Sequence, residues 1–223
     1  ETQDGILVEE EGSIVEIVGK NTFISGYQNG IMALARGEVI INSDKTVISG
    51  GEIGIWMEEE GNTKIKSNEV TIFTTDKDNA WAAVYATQEG EIAIDSDNTN
   101  IFSDEIGLYA QSGNIVINAN EKNVIKGEEN GVYASAMTYT DSMNTEIGDI
   151  KISGKLNQIS GKEGVTVVGG EIEINSTEKT VILGEEHGVR SNSPGGKIDI
   201  NSSNTIIKAQ AENGVGIKAS TGA

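Results

Sequence analysis

Gly30-Ile31-Met32-Ala33, then Val39-Ile40-Ile41-Asn42, then Thr46-Val47-Ile48-Ser49-Gly50, and, 24 residues after the first glycine, Gly54-Ile55-Trp56-Met57: the stretch opens a second copy of a pattern it has just closed. Its first signature is glycine, large aliphatic, variable, small. It recurs as Gly5-Ile6-Leu7-Val8, Gly107-Leu108-Tyr109-Ala110, Gly131-Val132-Tyr133-Ala134, Gly164-Val165-Thr166-Val167, Gly188-Val189-Arg190-Ser191 and Gly216-Ile217-Lys218-Ala219. Ala83-Val84-Tyr85-Ala86 carries alanine for glycine. The second signature is apolar, variable, apolar, often followed by Asn or Asp, as in Ile92-Ala93-Ile94-Asp95, Ile115-Val116-Ile117-Asn118, Ile172-Glu173-Ile174-Asn175 and Ile198-Asp199-Ile200-Asn201. The third is an apolar pair: Phe23-Ile24, Ile72-Phe73, Ile101-Phe102, Val124-Ile125, Val181-Ile182 and Ile206-Ile207.

Segments this short with alternating polarity are strands, because a helix would return apolar residues at intervals of three and four. One three-strand turn cannot bury its own inner face, so the repeats must stack, each strand pairing in parallel with its counterpart in the next repeat. The expected fold is all-β: a right-handed parallel β-helix, or β-solenoid, with three strands per coil and about eight to nine coils of about 24 residues. Residues 1–223 then form a single solenoid segment, with one loop insertion at 137–147.

Composition fits this and narrows the partners. Glycine occurs 28 times and proline once, which gives turns without kinks. Cysteine is absent, so there is no disulfide framework and no thiolate metal site. A net charge of -19 repels phosphate backbones and anionic headgroups, which argues against nucleic acid and bare anionic membrane as partners. No window reaches the roughly 18 apolar residues of a membrane helix. Glu1 begins without a basic-then-apolar leader, and the chain is read as an internal segment of a larger passenger.

Alternation assigns sides in the first strand. The residue after glycine and the small residue beyond it point inward. The residue between them points to solvent, giving the column Leu7, Met32, Trp56, Tyr85, Tyr109, Tyr133, Thr166, Arg190 and Lys218. An exposed apolar stripe on a highly charged protein is a candidate binding face. The candidate ligand-binding residues are Met32, Trp56, Tyr85, Tyr109 and Tyr133, with Tyr139 from the 137–147 insertion at one end of the stripe. Stacking for its own sake is the alternative. A smaller insertion, Thr75 to Trp81, adds a second tryptophan before Tyr85. Glycine pairs such as Gly26 and Gly30, or Gly50 and Gly54, bracket a corner where positive φ is expected. Asn42, Asn118, Asn175 and Asn201 fall at an equivalent place after the second strand, where side-chain amides are expected to bond from coil to coil.

Catalytic chemistry is poorly supported. The sole histidine, His187, sits at the corner position of Asn29, Asn130 and Asn213 and reads as a turn residue. Carboxylates cluster in corner runs such as Glu58-Glu59-Glu60, read as solvated edges, and not as an acid and base pair. The glycine-rich nonapeptide of calcium-binding β-rolls is missing, and no cofactor or metal is expected.

Together the three signatures resemble the passenger repeats of Gram-negative bacterial autotransporter adhesins with pectin-lyase-like β-helices. Similar degenerate repeats occur in two-partner secreted haemagglutinins and phage fibres. The resemblance covers nearly the whole chain and implies a non-catalytic, extracellular adhesin segment on the cell surface, anchored in the outer membrane through a region not in this segment. It implies partners that are host or bacterial cell-surface glycans or proteins. The alternatives are a passive structural stalk and a polysaccharide-degrading enzyme. Unpaired strand edges at the solenoid ends add an expectation of self-association.

Overall fold

The computed structural model describes residues 3–138, 145–192 and 195–220. Over them the chain is a parallel β-solenoid of about eight turns. The first signature forms one face through the strands Asn29–Ala33, Ile53–Met57, Ala82–Thr87, Ile106–Gln111 and Asn130–Thr138. The second and third signatures run on as one bent strand, in Glu38–Gly50, Asn62–Thr74, Glu91–Ser103 and Asn114–Gly127. Later in the chain all three join, in Asp149–Val168 and Glu171–Ser191. Inward residues stack file by file, and the register shifts fall at corners, as between Ala119 and Lys122. Ile31, Ile55, Val84, Leu108, Val132, Val165 and Val189 form one register file, and Ile48, Ile72, Ile101, Ile125, Ile159 and Ile182 form another.

Packing explains why these coils occur only as a stack. The inward set of one coil, Ile55, Met57, Ile65, Val70 and Ile72, is buried because the coils before and after close over it. Coils supply one another's missing walls and ladder bonds.

Two features of the corners differ from expectation. The glycines that bracket the corner before the first strand do not have positive φ. Close approach is their reason: a Cβ on Gly50 would lie 1.8 Å from the Ile53 carbonyl oxygen, and one on Gly54 2.5 Å from that of Ala83. Left-handed backbone appears instead at the next corner, at Ala35 and Arg36, Glu59 and Glu60, and Gln88 and Glu89. There the bonds from Gly37 N to Leu34 O, Gly61 N to Glu58 O and Gly90 N to Thr87 O close turns whose two central residues both have φ above zero, the type I′ geometry. The turns also bond to one another, Arg36 N to Glu59 O, Glu60 N to Gln88 O and Glu89 N to Ser112 O. That stack holds non-glycine residues in a conformation that costs each of them about 1–2 kcal/mol. Glu59→Gly removes the steric cost but adds freedom to the unfolded chain, so a net gain of about 0.5–1 kcal/mol is expected. A rise in urea midpoint at constant slope checks it, and a fall would refute the strain at this turn.

The run Glu58-Glu59-Glu60 is therefore more than a solvated edge. Glu60 accepts two hydrogen bonds from Arg36, 2.7 and 3.0 Å, while Arg36 Nη1 reaches back to Glu11 at 3.1 Å. One guanidinium thus joins three coils.

Two internal files carry information that the signatures omit. Each coil with another coil before it begins its second strand just after a glycine: Gly37, Gly61, Gly90, Gly113, Gly148, Gly170 and Gly196. In the first coil the position is Ser13. The cause is again space, since a Cβ on Gly61 would lie 2.1 Å from the Ala33 carbonyl oxygen and one on Gly148 2.1 Å from that of Ala110. The second file is inside and polar but for one valine: Thr46, Val70, Thr99, Asn123, Asn157 and Thr180. Asn123 and Asn157 are fully buried; Asn123 Nδ2 donates to Asn157 Oδ1 at 2.8 Å and to Ser153 O at 2.9 Å, satisfying donors that would be costly unpaired.

Candidate functional site

The aromatic column exists as a register file. Leu7, Met32, Trp56, Tyr85, Tyr109, Tyr133, Thr166, Arg190 and Lys218 pair in order, coil on coil. It points away from the main core, as alternation requires, yet its centre does not meet solvent. Tyr85 and Tyr109 keep 9% and 8% of their exposure, and Met32, Trp56 and Tyr133 are half-buried. Tyr139 lies outside the described residues.

Ring width against coil spacing is the reason. Coils about 4.8 Å apart bring neighbouring rings into contact: Tyr85 and Tyr109 stack with centroids 4.9 Å apart, Tyr109 meets Tyr133 edge-on at 5.0 Å, and Trp56 lies 6.1 Å from Tyr85. Two flanking files close the sides. Ile53, Ala82 and Ile106 run along one edge and pack with the rings into a second, smaller apolar cluster. Thr87, Gln111 and Ser135 run along the other; there Tyr85 Oη donates to Gln111 Oε1 at 2.8 Å, and Tyr109 Oη lies 3.4 Å from Ser135 Oγ. Ring faces that a sugar would need are spent on each other. The arrangement is a spine fastening coils together.

Burial pushes the Tyr85 phenol up to about 12, with the nearby Tyr109 and Glu58 adding to the rise. The folded state therefore holds this proton more tightly than the unfolded chain. Stability from this group is fully present below pH 10 and declines as pH rises through about 12. Tyr85→Phe is expected to flatten the alkaline limb of a thermal stability profile, and an unchanged limb would contradict that burial.

Beyond Tyr133 the same face turns charged. Glu163 accepts from Thr166 Oγ1 at 2.7 Å and from Arg190 Nη1, and Arg190 Nε donates to Asn192 Oδ1 at 2.8 Å. Burial works to raise the Glu163 carboxyl, but the Thr166 and Arg190 hydrogen bonds and the adjacent positive charge outweigh it and hold it below the usual range. His187 shares the register file of Asn29 and Asn130, as expected, but it stands in a strand, Glu171–Ser191, pairs with Val215 and not Asn213, and its side chain is 12% exposed. Glu163, Glu186 and His187 bring donor atoms within 4.8 Å of one another. The Glu163 oxygen facing the imidazole already carries the Arg190 guanidinium, which supplies the positive charge a metal ion would bring.

Two of the open concavities on other corners are lined by residues of several successive coils. After the second strand, a groove of about 660 Å³ runs past Asn42, Lys66, Asp95 and Asn118. Amides do bond from coil to coil there, Asn118 Nδ2 to Asp95 Oδ1 at 3.0 Å and Asn120 Nδ2 to Asp97 Oδ1 at 2.9 Å, and farther along Asn201 Nδ2 to Asn175 Oδ1 at 3.2 Å. The other is a notch of about 570 Å³ at the corner before the first strand, lined by Tyr27, Gly51, Thr75, Asp76 and Lys77. Tyr27 is 80% exposed, in contrast to the column. Tracking aromatics along the first strand misses it; the available signals were an aromatic inside a glycine-bracketed corner and the nearby insertion beginning at Thr75.

The 137–147 insertion begins as an antiparallel pair, Ala136 to Thr138 against Thr145 to Ile147, continuing the strand that bears Tyr133. No family model matches the chain, and neither a curated protein nor a solved structure matches it.

Proposed function

We propose that the chain is a non-catalytic segment of a bacterial surface protein, an adhesin rod that displays binding features at its corners and engages cell-surface glycan or protein. The observation that carries this reading is the continuity of register: coil follows coil with the same files in the same order, while inserted residues are confined to corners such as Thr75 to Trp81 and 137–147. Such an object holds its shape regardless of what its corners carry, which suits display. The repeat signatures resemble those of autotransporter passengers, which supports an extracellular place on a Gram-negative outer membrane.

The covered aromatic column favours a second reading, a passive stalk. Adherence of the purified chain to bacterial and epithelial cells separates the two. An adhesin binds saturably and loses binding when the corner features are altered at unchanged length. A stalk binds nothing, and excising whole coils from the parent surface protein only shortens its reach. Failure to adhere to any cell type at micromolar concentration would leave the stalk.

A further inference from the structure

The notch between Tyr27 and the inserted loop differs from other corners of the rod. Its floor is Gly51, which has no side chain, and a Cβ there would lie 1.9 Å from the Tyr27 carbonyl oxygen. One wall is Tyr27, whose ring is free. The opposite wall is the loop from Thr75, tied to the floor by Thr75 N to Gly50 O at 2.9 Å and Asp76 N to Gly51 O at 3.0 Å. The two walls belong to coils on either side of the Gly51 coil, so they stand two coil spacings apart, roughly 10 Å. The notch, about 570 Å³, is large enough to take a pyranose ring.

The loop wall is preorganised. The Asp76 carboxylate accepts from Asp78 N at 3.0 Å, Asn79 N at 3.3 Å and Asn79 Nδ2 at 3.0 Å, which fixes its direction while leaving lone pairs for a further donor. Thr75 Oγ1 donates to Gly50 O at 3.3 Å and keeps its acceptor side free. An open ring and fixed acceptors lining one notch offer the chemistry of a sugar site: apolar C–H face on the aromatic, hydroxyls on the carboxylate and alcohol. Asp76 and Lys77 offset each other on the lining, and the overall charge of -19 disfavours anionic sugars.

We propose that this notch is a saccharide-binding site in which Tyr27 stacks on an uncharged pyranose and Thr75 and Asp76 receive its hydroxyl protons. The site rests on the adhesive role proposed above and gives that role a ligand class.

The test uses the full chain on an array of uncharged oligosaccharides (gluco-, manno-, galacto- and N-acetylglucosamine series) beside sialylated and sulfated ones, with titration calorimetry on the uncharged hits. Adherence to cells is measured in parallel. Tyr27→Ala is expected to weaken uncharged saccharide binding roughly tenfold or more with an unchanged melting temperature, because the ring is 80% exposed. Phe23→Ala, at a ring 71% exposed but outside the notch, is expected to change neither. Uncharged saccharides bound equally well by the Tyr27→Ala chain would overturn the site. Binding confined to anionic glycans, or no glycan binding, would overturn it too. Persisting cell adherence in those cases leaves the adhesin reading standing, whereas its loss removes both.

Discussion

Gly61→Ala is expected to lower the free energy of unfolding by about 3 kcal/mol or more, while Ser13→Ala leaves it unchanged. The two residues occupy one file, just before the second strand of their coils. A methyl group on Gly61 meets the Ala33 carbonyl oxygen of the preceding coil at 2.1 Å. That oxygen accepts the Glu58 amide at 3.1 Å, so it cannot swing aside without breaking a ladder bond. Ser13 already carries a Cβ, so alanine there adds no atom to the backbone's surroundings. In a stack held by nearest-neighbour coupling, a fault at an inner coil also weakens what joins the two halves. Denaturant melts should therefore show a lower midpoint and a broadened or split transition for Gly61→Ala. A melt superimposable on that of the parent chain would mean that the carbonyl contact does not constrain the stack.

The second large effect is at the column. Tyr109→Ala is expected to cost about 3 kcal/mol, the low end for deleting a buried aromatic, because the ring is flanked by Tyr85 and Tyr133 and lies over a second apolar cluster. The hydroxyl adds little, since its contact with Ser135 is 3.4 Å; Tyr109→Phe should stay within about 1 kcal/mol of the parent. Had the column been an open binding stripe, alanine there would have removed binding at constant stability. As a spine it does the reverse, lowering stability and sparing the affinity of folded molecules. Calorimetric melting beside cell adherence reads both quantities from the same samples, and an unaltered melting temperature would contradict the spine.

The fold was legible because period-two alternation and the 24-residue return each specify it independently, and Ile31, Ile41 and Ile48 fall inside for reasons of alternation alone. The column's membership was legible for the same reason. Its exposure was not. Alternation says that Tyr109 leaves the core, but whether it meets water depends on neighbours 24 or more residues away and on flanking files such as Ile53 and Ile106, three residues before the ring in each coil. The glycines were legible as corners but not by cause. Close approach of a neighbouring coil requires Gly61, whereas the left-handed turns fall on Glu59 and Glu60, where composition gives no sign of them. Tyr27 escaped because it belongs to no strand file, and its isolation is what leaves its ring open.

The ladder bonds of this molecule run along its long axis, between one winding and the next. Tension applied lengthwise loads them in peeling geometry, a few at a time, and not all together in shear. Each winding that lets go releases about 24 residues, roughly 80 Å of contour at full extension, from a segment that occupied about 4.8 Å. Under such a load the molecule thus lengthens in steps, and no single bond takes the whole force at once.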